Sequence, residues 1–118
     1  MKYIALIYSN PGAAPAFGSP EFGAFMASYQ AANERYAKDG VLVIGEALKS
    51  ASTATTLRVR GGKSETMDGP FVESKEQLGG FYVFDCENLD EALKYAAMIP
   101  AAQHGAVEVR PIEDYGRS

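Results

Sequence analysis

Two segments of this chain are apolar on both faces, and that restricts the folds open to it more than any other feature. In Lys2 to Tyr8, the side chains of Tyr3, Ala5 and Ile7 point one way and those of Ile4, Leu6 and Tyr8 the other. In Gly79 to Asp85, Phe81 and Val83 oppose Tyr82 and Phe84. Strands of this kind need cover above and below. Two amphipathic helices are on offer. The first starts at Ser19, a cap residue, with Pro20 in the first turn, and carries Phe22, Phe25, Met26, Tyr29, Ala32 and Tyr36 at helical spacing until Gly40. The second opens with Asn88 and Glu91 in capping-box spacing, carries Leu89, Ala92, Leu93, Ala96 and Ala97, and stops at Pro100.

The remaining segments complete a recognisable order. Val41 to Leu48 is β-like, Thr53 to Arg60 is rich in Thr and Val, and Gly61-Gly62 supplies a turn into a hairpin arm that continues toward Asp68. Val107 to Ile112 alternates apolar with charged residues as a last strand. The sequence therefore predicts an α+β, ferredoxin-like split βαβ with an inserted β-hairpin. Both helices of that plan lie on one face of the sheet, so the other apolar face requires separate cover. A second copy would supply it; so would the hairpin, or the Ser9 to Ser19 loop, folded over its own sheet.

Composition narrows the partners. The 118 residues fit one domain, expected over 1–118, and 47% hydrophobic with 22% charged residues places the chain among ordinary folded proteins. The net charge is −4, with only eleven Lys and Arg scattered along the chain, which argues against nucleic acid and against an anionic membrane surface. The apolar run from Tyr3 to Tyr8 is too short for a signal-peptide core or a membrane span, so the expected compartment is the cytoplasm. Cys86 is the single cysteine, which excludes an intrachain disulfide. One His and one Cys leave too few ligands for a dedicated metal site, and no cofactor is expected.

The least generic stretch runs from Asp68-Gly69-Pro70-Phe71 through Val72-Glu73-Ser74-Lys75-Glu76-Gln77-Leu78 to Gly79-Gly80-Phe81-Tyr82. With Glu108-Val109-Arg110-Pro111, it resembles the YCII-related superfamily, in particular the branch known for its DGPF motif. The resemblance covers Met1 to about Asp114 and implies the same ferredoxin-like plan. It also implies a homodimer whose sheets face each other as a dimeric α+β barrel. Some relatives are dehydrochlorinases or resemble lactone isomerases, with a His and Asp pair whose His lies in the first helix. Here that helix offers Tyr29, Gln30, Tyr36 and Asp39 instead, so the pair does not carry over.

The candidate site is built from the two unusual segments. The Asp68 turn is expected to aim Asp68, Glu73, Lys75 and Glu76 into the cleft between helix and sheet, with Phe71 anchored in the core. Asp68 and Glu73 are the catalytic candidates for acid/base work; Lys75, Glu76, Arg110, Glu108 and Glu46 are the substrate-binding candidates, Arg110 offering its guanidinium fork to a carboxylate or enolate. A purely structural turn and a solvated charged edge account for the same residues without function. Gly79-Gly80 ahead of an apolar strand calls for a bulge or a close backbone approach. His104, the single histidine, reads as a surface loop residue. Gly62-Lys63-Ser64 lacks the earlier glycine of a phosphate loop, since Leu57 stands there. The expected activity is binding of a small polar or anionic molecule by a homodimer. The alternatives are an isomerase or dehydrochlorinase-type enzyme and an accessory interaction domain linked to sigma-factor regulation.

Overall fold

In a computed structural model, residues 1–116 are described; the last two positions of the expected 1–118 domain lie outside them. The elements follow in the order β1 (Lys2–Ser9), α1 (Pro20–Asp39), β2 (Leu42–Ala47), β3 (Thr55–Arg60), β4 (Lys63–Asp68), β5 (Gln77–Asp85), α2 (Leu89–Ala96) and β6 (Ala106–Pro111), with short 3-10 turns at Ala51–Thr53 and Pro100–Gln103. Four strands form an antiparallel sheet in the order β2-β5-β1-β6, while β3 and β4 pair separately. This is the ferredoxin-like plan with an inserted hairpin.

Local chemistry sets the boundaries. Asn88 Oδ1 accepts the Glu91 amide at 2.9 Å and so caps α2, while the Glu91 carboxylate accepts the Glu87 amide at 3.3 Å. Gly40 ends α1 in the left-handed conformation (φ 69°), returning its amide to the last turn. Ser19 occupies the cap position of α1, yet its side chain makes no capping bond and its hydroxyl oxygen is buried without a partner. The Phe22 amide, which a capping side chain would take, donates instead to the Ser19 carbonyl at 3.1 Å, and Pro20 presets the first helical φ.

The core lies between the sheet and both helices. Tyr36 of α1, fully buried, packs edge-on against Tyr82 and Phe84 of β5, at ring separations of 5.4 and 4.8 Å, and against Tyr95 of α2 at 6.0 Å. Tyr3, Ala5 and Ile7 bury the same side of β1, with Val107 and Val109 of β6 packed alongside. Ile4, Leu6, Phe81 and Val83 face away from the helices and stay part-exposed. α1 is seated most deeply through Ala32 and Tyr36, with Tyr29 part-buried against the core, while Met26 stays exposed.

The molecule is a flat slab with an appendage. It measures 49 × 45 × 17 Å with a radius of gyration of 16.4 Å, against about 13.5 Å for a compact domain of this length. Its accessible surface is 8278 Å², where a compact monomer of this mass shows about 6,200 Å². The arm formed by β3 and β4 accounts for much of the difference, since it makes no extensive contact with the sheet or helices. It does not fold back to cover its own sheet.

Candidate functional site

Residues paired directly across antiparallel strands share a face, so the register maps the uncovered side of the sheet. Ile44, Val83, Ile4 and Arg110 form one row across β2, β5, β1 and β6; Glu46, Phe81, Leu6 and Glu108 form the next. The middle of the face is apolar and both edges carry charge. Three strand spacings, about 14 Å, separate Glu46 from Glu108.

Two glycines shape the β5 end of this face. The β1–β5 register slips between Ile7 and Tyr8, leaving Gly79 unpaired in a bulge. Gly80 then passes so close to β2 that a Cβ there would sit 2.9 Å from the Glu46 carbonyl oxygen. The glycine pair therefore has the geometric reasons its sequence context demanded.

The DGPF-like turn lies elsewhere. Gly61 (φ 57°) and Gly62 (φ 78°) close the β3–β4 arm with a two-residue hairpin turn. At the arm's root, Gly69 adopts φ 98°, its amide donates to the Ala54 carbonyl at 2.8 Å, and its carbonyl accepts from Thr56 Oγ1 at 2.9 Å. These bonds lock the turn onto β3 rather than onto the helix layer. Phe71 is correspondingly 67% exposed, not anchored in the core as its sequence suggested. The Arg58 guanidinium sits 4.9 Å from its ring centre and shields one side of it. Glu73, Lys75 and Glu76 follow in an exposed bend.

Within one chain the candidate residues thus fall into two groups. Glu46, Glu108 and Arg110 share the open sheet face; Asp68, Glu73, Lys75 and Glu76 belong to the arm's root and the connection to β5. The expectation that Arg110 meets Asp68 or Glu73 in a cleft between helix and sheet is not met within the chain. Arg110 donates to Glu108 two residues away, both side chains being exposed, and makes no ion pair with either motif acid among the described residues. Topology is the reason: β6 is one edge of the sheet, and the arm follows β2 at the other.

A third cluster was only partly legible. Asp39 Oδ2 at the end of α1 accepts from Arg35 Nε at 2.8 Å and from the Tyr95 hydroxyl at 2.8 Å. The Arg35 bond, then the Tyr95 bond, hold the Asp39 carboxyl below its ordinary range, and the same contact with Asp39 raises the Tyr95 phenol. Asp39 is thereby an ionised acceptor and Tyr95 a protonated donor. The Arg35–Asp39 spacing could be read from the chain. Tyr95, contributed by α2, could not. Burial likewise raises the phenols of Tyr36, which donates to the Tyr95 carbonyl at 2.8 Å, and of Tyr82, which donates to Asn33 Oδ1 at 2.9 Å.

His104 is exposed, its ring centre 6.3 Å from that of Phe25, beside a small open cleft between α1 and the Pro100–Gln103 turn. No carboxylate pairs with it among the described residues. The same residues hold no cluster of His, Cys, Asp and Glu fit for a metal, and no helix long and apolar enough to cross a membrane. Cys86 is a buried free thiol, pushed up chiefly by that burial.

Comparison with known proteins adds three findings. A family model described as the YCII-related domain matches residues 1–115. A protein of Rhizobium meliloti (strain 1021), described only as uncharacterized, is 38% identical over 117 residues, covering 98% of this chain and 94% of its own. Among solved structures, the 5-chloro-2-hydroxyhydroquinone dehydrochlorinase (TftG) of Burkholderia phenoliruptrix, in complex with 2,5-dihydroxybenzoquinone, superposes with a TM-score of 0.53. That match has 14% identity and covers 96% of this chain and 94% of that one. Likeness at that identity concerns the fold.

Proposed function

We propose, from the premise that this chain belongs to the YCII-related domain family, that it acts as a homodimer binding a small polar or anionic molecule between its subunits. The observation that carries this reading is the placement of Glu46, Glu108 and Arg110 at the edges of an uncovered sheet face whose middle is apolar. When a second copy covers that face, the apolar rows are buried and the charges at the edges become partly desolvated. Charges so placed must pair or hold a ligand. Arg110 supplies the fork for a carboxylate or enolate, Glu108 orients it, and Lys75 and Glu76 at the mouth of β5 serve as further binding residues. Asp68 and Glu73 belong to the arm's root at the opposite edge of the sheet, apart from the Arg110–Glu108 pair within one chain.

Calorimetric titration with a panel of small carboxylates and hydroxyaromatic anions tests the reading. At least one should bind to the dimeric protein, Arg110→Lys should weaken that binding, and folding should stay intact, because an exposed ion pair contributes little to stability. A panel without binders, together with an Arg110→Ala variant that is clearly destabilised, would leave the pair as a structural salt bridge. Leu6→Asp, at the centre of the covered face, should halve the mass seen by light scattering.

A second reading is favoured by the fold shared with a dehydrochlorinase. In it, Asp68 or Glu73 performs the proton transfer at the arm's root. Chloride release from chlorinated hydroxyaromatic compounds measures it. Removing the responsible acid as Asp68→Asn or Glu73→Gln should then lower the rate by about 100-fold or more.

A further inference from the structure

The β3–β4 arm makes no extensive contact with the sheet or helices of its own chain, and only the Phe71 ring is seen against its Arg58. A lone two-stranded hairpin is marginal in water, and this one leaves Leu57 and Val59, 59% and 56% exposed, on one side. The cross-strand partners of these two residues are Thr66 and Ser64; the opposite side carries Arg58, Arg60, Lys63 and Glu65. Between Thr55 and Asp68, three basic residues stand against two acidic ones, one of them at the root, in a chain whose net charge is −4. The arm is therefore apolar on one side, basic at its tip, and attached to an acidic body.

A complementary surface exists at the far end of the open face. A broad concavity of about 1000 Å³ is lined by the apolar Ile44, Val83 and Ile112 and by Asp85, Glu113 and Asp114, which outnumber the one basic side chain there, Lys2. Asp85 already holds the N-terminal ammonium at 3.1 Å. Glu113 and Asp114 have no ion pair among the described residues. The concavity sits where β1 starts and where β5 and β6 end. The arm is rooted at the opposite end, where β2 ends and β5 starts. A two-fold axis lying in the plane between facing sheets and across their strands puts the arm end of one copy over the concave end of the other. Six residues per strand give the arm about 20 Å of reach.

We propose that the arm is a clamp acting between subunits, with Leu57 and Val59 covering the Ile44–Val83–Ile112 lining of a second copy and Arg60 and Lys63 meeting its Glu113 and Asp114. This rests on the homodimer of the preceding reading and adds which element each copy lends the other. The area agrees: the surface in excess of a compact monomer, about 2,000 Å², is more than the about 800 Å² per partner of a standard interface.

The test uses the full chain carrying Val59→Cys and Ile112→Cys, treated with a short bismaleimide and resolved by denaturing electrophoresis and peptide mapping; Cys86 is buried and stays unreactive. A covalent dimer joined through positions 59 and 112 is the expected product. If the uncrosslinked protein scatters light as a dimer but the link forms within one chain, or does not form, the clamp is wrong while the homodimer stands. A protein that is monomeric throughout overturns both. Arg60→Glu with Lys63→Glu gives an independent measurement on exposed positions. Sedimentation should show dimer dissociation strengthened about tenfold or more, and an unchanged dissociation constant would count against the clamp.

Discussion

At the scale of single residues, Tyr36 joins the two helices and the sheet. It fills the centre of the core and its hydroxyl reaches the Tyr95 carbonyl. Tyr36→Phe keeps the ring and removes one buried hydrogen bond, so it should cost about 1 kcal/mol in denaturant unfolding. Asp39 ties the same helices together at their edge, and its depressed pKa sets a pH dependence. A group lowered in the folded state stabilises fully above its unfolded value, near 4 for a carboxylate, and loses that contribution as pH falls through the lower folded value. Asp39→Asn should therefore be less stable than the parent at neutral pH and show a shallower loss of stability in acid. Urea melts across the acid range measure both.

At the scale of elements, the sheet is built for close approach between β2 and the core. A Cβ on Gly45 would lie 2.4 Å from Tyr82 Cδ1, and Tyr82 is held by its bond to Asn33 and its stacking on Phe84. Gly45→Ala should thus destabilise by about 1–3 kcal/mol through overpacking, read as a shift in the denaturation midpoint. That constraint was invisible in the sequence, where Gly45 only interrupts a β-like run. What was legible has local causes. Alternation in β1 and β5 foretold a two-faced sheet, Asn88 and Glu91 foretold the start of α2, and Gly61-Gly62 foretold the hairpin turn. The misreadings share one cause, which is that local patterns do not say where an element goes. The Asp68 turn was expected over the helix–sheet cleft, with Phe71 in the core, but the hydrogen bonds of Gly69 tie it to β3. Arg110 and the motif acids were expected together, but strand order sends them to opposite edges.

At the scale of the whole molecule, a slab 17 Å thick leaves one largely apolar sheet face without cover from its own helices. If a second copy completes it, unfolding is coupled to dissociation, and the thermal midpoint should rise with protein concentration over a roughly hundredfold range in calorimetry. A constant midpoint would mean that the open face is tolerated in water. The arm adds a consequence for degradation. Its strands carry Arg58, Arg60 and Lys63 within six positions, on an exposed hairpin that makes no extensive contact with the sheet or helices. Trypsin cuts only chain that can leave its hydrogen-bonded ladder. If a second copy docks the arm, a solitary subunit should be nicked there first and a docked arm should resist, so cleavage at these three positions would act as a clock that separates unpaired chains from assembled ones.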